Sequence, residues 1–205
     1  FNAVTLHPHL LQAVADLLCV STCDLRLTQS DLWPKYGNGD SDDALDNTDQ
    51  RIHCDYPNHS LVHPPEWDNP EAVEIIIYLN DYDECEGATA VVPRDGQSDP
   101  AYPWPIVQTP GVAGLDYVND RDKAEAYMAE HNPAAADFRE KHLYARELVA
   151  EYKFGSVLFY RHDTWHRGRP VKANALRLVQ NLTFTKIGCD WLNVLHAGWC
   201  WSMYR

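Results

Sequence analysis

Residues 175–184 read Ala175-Leu-Arg-Leu-Val-Gln-Asn-Leu-Thr-Phe184, and the stretch alternates. Side chains two apart in a strand share a face, so Leu176, Leu178 and Leu182 fall on one side and Arg177, Val179 and Asn181 on the other. The pattern predicts a strand. Shorter β-branched or aromatic runs recur at 25–29, 51–56, 72–79, 88–92 and 156–160, divided by turn residues. Residues 34–49, with Gly37 and Gly39, read as a polar loop, and the proline-rich stretch 94–118 as an irregular connection. Helical signals lie around these strands. Leu10, Leu11, Val14, Leu17 and Leu18 follow Pro8 at helical spacing, and Pro suits a first helical position. Residues 119–152 are rich in Ala, Glu, Lys and Arg, with Asn119 or Asp120 as a cap and Asn132-Pro133 dividing two helices. Strands, a helical insertion at about 119–152, then more strands predict one mainly β domain over residues 1–205. Its form is a barrel or sandwich with helices packed outside.

The 205-residue chain is long enough to bury a core, and it carries a net charge of −13. That field repels nucleic acid and anionic membranes, so a small-molecule or protein partner is expected. No apolar run has the length of a membrane span. The six cysteines are too sparse for a stapled secreted domain and predict reduced thiols in a cytoplasmic protein.

Two clusters could carry chemistry. In Gln50-Arg-Ile-His-Cys-Asp-Tyr56 a strand points His53 and Asp55 to one face and Cys54 away. An imidazole nitrogen and a carboxylate oxygen then converge, and a second histidine would complete the facial set that suits oxygen-activating iron(II). That histidine comes from Phe159-Tyr-Arg-His-Asp-Thr-Trp-His-Arg-Gly-Arg-Pro170, which offers both His162 and His166. The His-Asp-Thr-Trp-His spacing superficially matches a zinc-protease helix, but its strand-like and Gly/Pro flanks do not make a helix. Arg177, inside an apolar strand, is costly unless it meets an anion such as a carboxylate.

Taken in order, His53-Cys-Asp55, Gly87-Ala-Thr-Ala-Val-Val-Pro93, Gly155-Ser-Val-Leu-Phe, Trp165-His166-Arg-Gly168 and Arg177 resemble the phytanoyl-CoA dioxygenase-like family across roughly residues 25–185. Eleven positions separate His166 from Arg177, similar to that family's interval between last ligand and anchoring arginine. The resemblance implies a double-stranded β-helix, the jelly-roll or cupin-like fold, with flanking α-helices. It implies Fe(II) on His53, Asp55 and His166, and 2-oxoglutarate anchored by Arg177 with Gln29 as a second contact. Dioxygen is the third participant, and the reaction implied is hydroxylation of a small molecule with release of succinate and CO2. This chain departs from the family in having Ile52 before the first ligand and Arg94-Asp95-Gly96 after Pro93. Two other readings use the same residues. One is a zinc or manganese enzyme with the same triad; the other is a catalytically silent β-helix acting as a binding or scaffold module.

Overall fold

The computed structural model describes residues 1–37, 47–54, 66–102 and 119–188. In chain order the elements are α1 Asn2–Thr5, α2 Pro8–Leu18, β1 Leu25–Tyr36, β2 Ala72–Tyr78, α3 Tyr82–Cys85 and β3 Thr89–Val91. There follow α4 Arg121–His131, α5 Pro133–Phe138, β4 Leu148–Val149, β5 Val157–Arg161, β6 His166–Gly168 and β7 Leu176–Lys186. The strands form two antiparallel sheets, a larger one in the order β1-β7-β2-β5 and a smaller one in the order β4-β3-β6. This is the mainly β jelly-roll expected, with helices outside it.

The alternation in β7 decides which side is covered. Leu182 and Phe184 pack with Ile75, Ile77 and Val73 of β2 against Leu10, Val14 and Leu18 of α2. Each such side chain, fully buried, contributes roughly 1.5–3 kcal/mol. Arg177, Val179, Asn181 and Thr183 take the opposite, inner face, where β2 presents Glu74, Ile76 and Tyr78 in register. The Tyr78 hydroxyl accepts from Thr89 N at 3.2 Å, tying that face to β3 of the smaller sheet.

Three sequence expectations change, one of them being that the stretch 119–152, read as helical, ends in strand β4. The first strand runs on through Tyr36 where a loop was read from residue 34. Pro34 fits because β1 is an edge strand, whose outward side needs no donor. Of the run 51–56 the described residues form one isolated bridge, His53 to His166, next to that of Gln50 to Asp120, and its last two residues lie outside the described residues.

The insertion starts as its sequence dictates. The Asp120 side chain caps α4 by accepting from Lys123 N at 2.9 Å, and Asn132 caps α5 with Pro133 in its first turn. After Phe138 the chain widens into a π turn, Arg139–Leu143, and then tightens over Tyr144–Arg146. That change of pitch turns Arg139 and Tyr144 inward, leaving them 0% and 7% exposed. Among the described residues no helix is long and apolar enough to cross a membrane.

Candidate metal and cofactor site

His53 and His166 lie directly opposite one another. They exchange both main-chain bonds, His53 N to His166 O at 2.9 Å and His166 N to His53 O at 2.8 Å. Their rings stand 4.5 Å apart between centroids. Each ring is oriented by the main chain two residues before it: His53 Nδ1 donates to Arg51 O and His166 Nδ1 to Thr164 O, both at 3.0 Å. A carbonyl only accepts, so Nδ1 carries the proton and Nε2 the lone pair, the tautomer a metal ligand needs. Tyr160 of β5 flanks the pair, its ring 4.8 Å from that of His166. Asp55, the expected carboxylate, lies outside the described residues. Among the described residues no three His, Cys, Asp or Glu side chains gather as a metal-binding group.

His162 goes elsewhere. It is 1% exposed, on the turn between β5 and β6, with Nδ1 hydrogen-bonded to Glu74 Oε1. The other Glu74 oxygen accepts from Thr183 Oγ1 at 2.6 Å, and Thr183 also contacts Gln29 Oε1 at 3.1 Å. The histidine brought to His53 is therefore His166.

Arg177 is buried on the inner face of β7 at 7% exposure. Its Nη1 donates to Gly87 O, and its Nε is buried with no hydrogen-bond partner among the described residues. Burial pulls its pKa below the ordinary arginine value, against the opposing pull of Tyr78, Tyr152 and Cys85. A guanidinium held this way is suited to an anion that supplies what the described residues do not. Four residues along the same face, Asn181 Oδ1 is also buried without a partner among the described residues. The carbonyl that meets Arg177 belongs to a glycine for two reasons. Gly87 sits at φ +69°, and a Cβ there would come within 2.4 Å of Val171 Cγ1.

Gln29 is not placed beside Arg177. It pairs across the sheet with Thr183, whereas Arg177 pairs with Lys35, six residues further along β1. That is about 20 Å of strand. Gln29 Nε2 donates to Asp31 Oδ2 at 2.7 Å. Sequence reasoning missed Glu74 and Tyr160. Glu74 carried a readable signal, a lone acid within Ala72-Val-Glu-Ile-Ile-Ile-Tyr78, where burial demands a partner.

The described residues thus fit a metal with histidine ligands and an acidic co-substrate. The fold recurs in solved structures. SnoK, a non-heme alpha ketoglutarate dependent carbocyclase from nogalamycin biosynthesis, superposes with TM-score 0.56 at 15% identity, covering 90% of this chain and 58% of its own. The epimerase SnoN, in complex with Fe3+, alpha ketoglutarate and nogalamycin RO, gives 0.54 at 13% identity, covering 90% and 58%. EvdO2 from Micromonospora carbonacea var. aurantiaca gives 0.54 at 12% identity, covering 91% and 66%. The chain spans between half and two thirds of the length of these proteins, and at such identities the likeness shows the fold. No curated protein matches the chain by sequence. The profile of the phytanoyl-CoA dioxygenase (PhyH) family matches residues 1–179, and the chain belongs to that family.

Proposed function

We propose that this single domain, with its helical insertion, is the core of an Fe(II)- and 2-oxoglutarate-dependent oxygenase that hydroxylates a small molecule. The observation that carries the reading is the His53–His166 pair, with both Nδ1 atoms committed to backbone carbonyls. His53, Asp55 and His166 would hold the metal, and Arg177 the distal carboxylate of 2-oxoglutarate. When bound, iron(II), 2-oxoglutarate and dioxygen supply an oxidant able to attack a C–H bond, the co-substrate leaving as succinate and CO2. The chain's residues do the rest. Arg177 offers its Nε to a carboxylate in a site where burial strengthens that contact. Tyr160 walls the metal side with an aromatic face. The family supports iron and 2-oxoglutarate over a zinc or manganese enzyme or a silent scaffold.

The test is anaerobic addition of iron(II) and 2-oxoglutarate, followed by visible absorption. A charge-transfer band is expected, with succinate formed on admitting oxygen. His162→Ala should keep the band and His166→Ala should lose it, while Arg177→Leu should raise the 2-oxoglutarate requirement by about 100-fold, as loss of a buried charge-assisted contact implies. Absence of both band and succinate from the unaltered chain would overturn the reading.

A further inference from the structure

We propose that the helical insertion is a clamp that sets the two histidine-bearing segments against each other, with Arg139, Tyr144 and Glu147 as positioning residues. The inference rests on reading His53 and His166 as metal ligands.

The bridge is a slender frame for such a pair, since its two bonds and one further main-chain bond, Gln50 N to Gly168 O at 3.0 Å, leave the tilt and twist of the two segments loosely fixed. Neighbouring contacts must fix them, and the insertion makes such contacts on both segments. On the first, Ile52 precedes His53 and is 0% exposed, so water cannot serve its backbone. Its N–H donates to the Tyr144 hydroxyl at 3.0 Å, and its C=O accepts from Arg139 Nη2 at 3.0 Å. Both partners are fixed by one acid of α4. Tyr144 donates to Glu125 Oε1 at 2.7 Å, and Arg139 Nε reaches Glu125 Oε1 and Oε2 at 2.9 and 3.0 Å. Two backbone bonds continue the seam, Arg51 N to Asn119 O and Arg121 N to Asp49 O, each 2.8 Å.

On the second segment, Arg167 follows His166 and is 3% exposed. Its Nε and Nη2 donate to Glu147 Oε2 and Oε1, both at 2.7 Å, while Nη1 meets Asp49 from the first segment. The segments are also joined directly, Gly168 N donating to Gln50 Oε1 at 2.8 Å. One insertion thus grips the residue before one ligand and the residue after the other. A lid does the opposite: it must leave the site, and its contacts are few and exposed. Contacts this buried and this charged hold the insertion in place.

Titration with cobalt(II), an oxygen-stable probe, at a temperature well below unfolding tests this, together with thermal melts. The unaltered chain should bind one cobalt ion. Tyr144→Phe keeps the ring but strands the Ile52 N–H, and Glu147→Gln loosens Arg167 from the other side. Each should weaken cobalt binding by about tenfold or more, the usual effect of losing a residue that orients a ligand, and should alter the visible cobalt spectrum. Lys141→Ala, which removes only the exposed pair with Asp137, should change neither. If both clamp variants melt lower yet bind cobalt with unchanged affinity and spectrum, the insertion is structural padding and the inference falls. Should Tyr144→Phe fail to fold, unchanged binding in Glu147→Gln overturns the inference by itself. If the unaltered chain binds no cobalt, the two-histidine reading fails first and the clamp with it.

Discussion

Asp163 shows how one residue in the turn before His166 is held. Its side chain is 4% exposed, and burial by itself would raise its pKa. Arg94 outweighs that with a bidentate contact, Nη2 to Oδ1 at 3.0 Å and Nη1 to Oδ2 at 3.1 Å, and Arg161 adds Nε to Oδ1 at 3.0 Å. The net effect holds the carboxyl below its usual range. Both guanidinium groups also lie over the Trp67 ring, at 5.7 and 4.9 Å. A depressed folded pKa means that the unfolded state takes up the proton more readily. The stabilisation is therefore complete above the unfolded value of about 3.9 and is lost as pH falls through the folded one. Asp163→Asn should lose about 3–5 kcal/mol at neutral pH by stranding buried cations. Urea unfolding followed from pH 7 towards 3 should show the gap between variant and parent narrowing. Of this cluster the sequence displayed only Arg94, as an unfamiliar residue after Pro93; partners 69 residues apart leave no local trace.

Elements whose pattern is local were read correctly, and those decided by neighbours were not. Leu10 to Leu18 and Ala175 to Phe184 repeat their periods long enough to fix the type of element, and α2 and β7 follow them, but β7 is buried on both faces over most of its length. The end of β1 could not be read this way, because Pro34 and Lys35 signal a break to any rule based on propensity. Only the neighbour, β7, continues the ladder there, pairing Pro34 with Leu178 and Lys35 with Arg177. The insertion was legible as helices and opaque as to purpose, since the pitch change that turns Tyr144 inward has no sequence signature. Its caps are local and can be tested at this scale. Asp120→Ala removes the acceptor for Lys123 N at the exposed start of α4, and should lower stability by about 1 kcal/mol in urea denaturation. Activity should then fall only in proportion to the unfolded fraction.

At the level of the whole molecule, charge and topology act together. A net charge of −13 over 205 residues repels itself in the folded state more than in an expanded chain. Raising sodium chloride from about 10 to 150 mM shortens the screening length from roughly 30 to 8 Å. The melting temperature should therefore rise across that range, and a fall would show that ion pairs such as Arg139–Glu125 outweigh the repulsion. Topology explains why the site was only partly readable. The short spacing of His53 and Asp55 gave a strand argument, whereas His166 was preferred over His162 only through its spacing to Arg177, and the pairing of His162 with Glu74, on β2, was not legible. On the proposal that His53 and His166 hold a metal, their meeting has a consequence for how the ion would be captured. Two donors joined through their own main chains would not have to be gathered from a loose ensemble, so capture would ask little ordering of this pair. Calorimetry should show a heat-capacity change close to zero for metal association, the mark of a reaction in which scarcely any apolar surface changes hands.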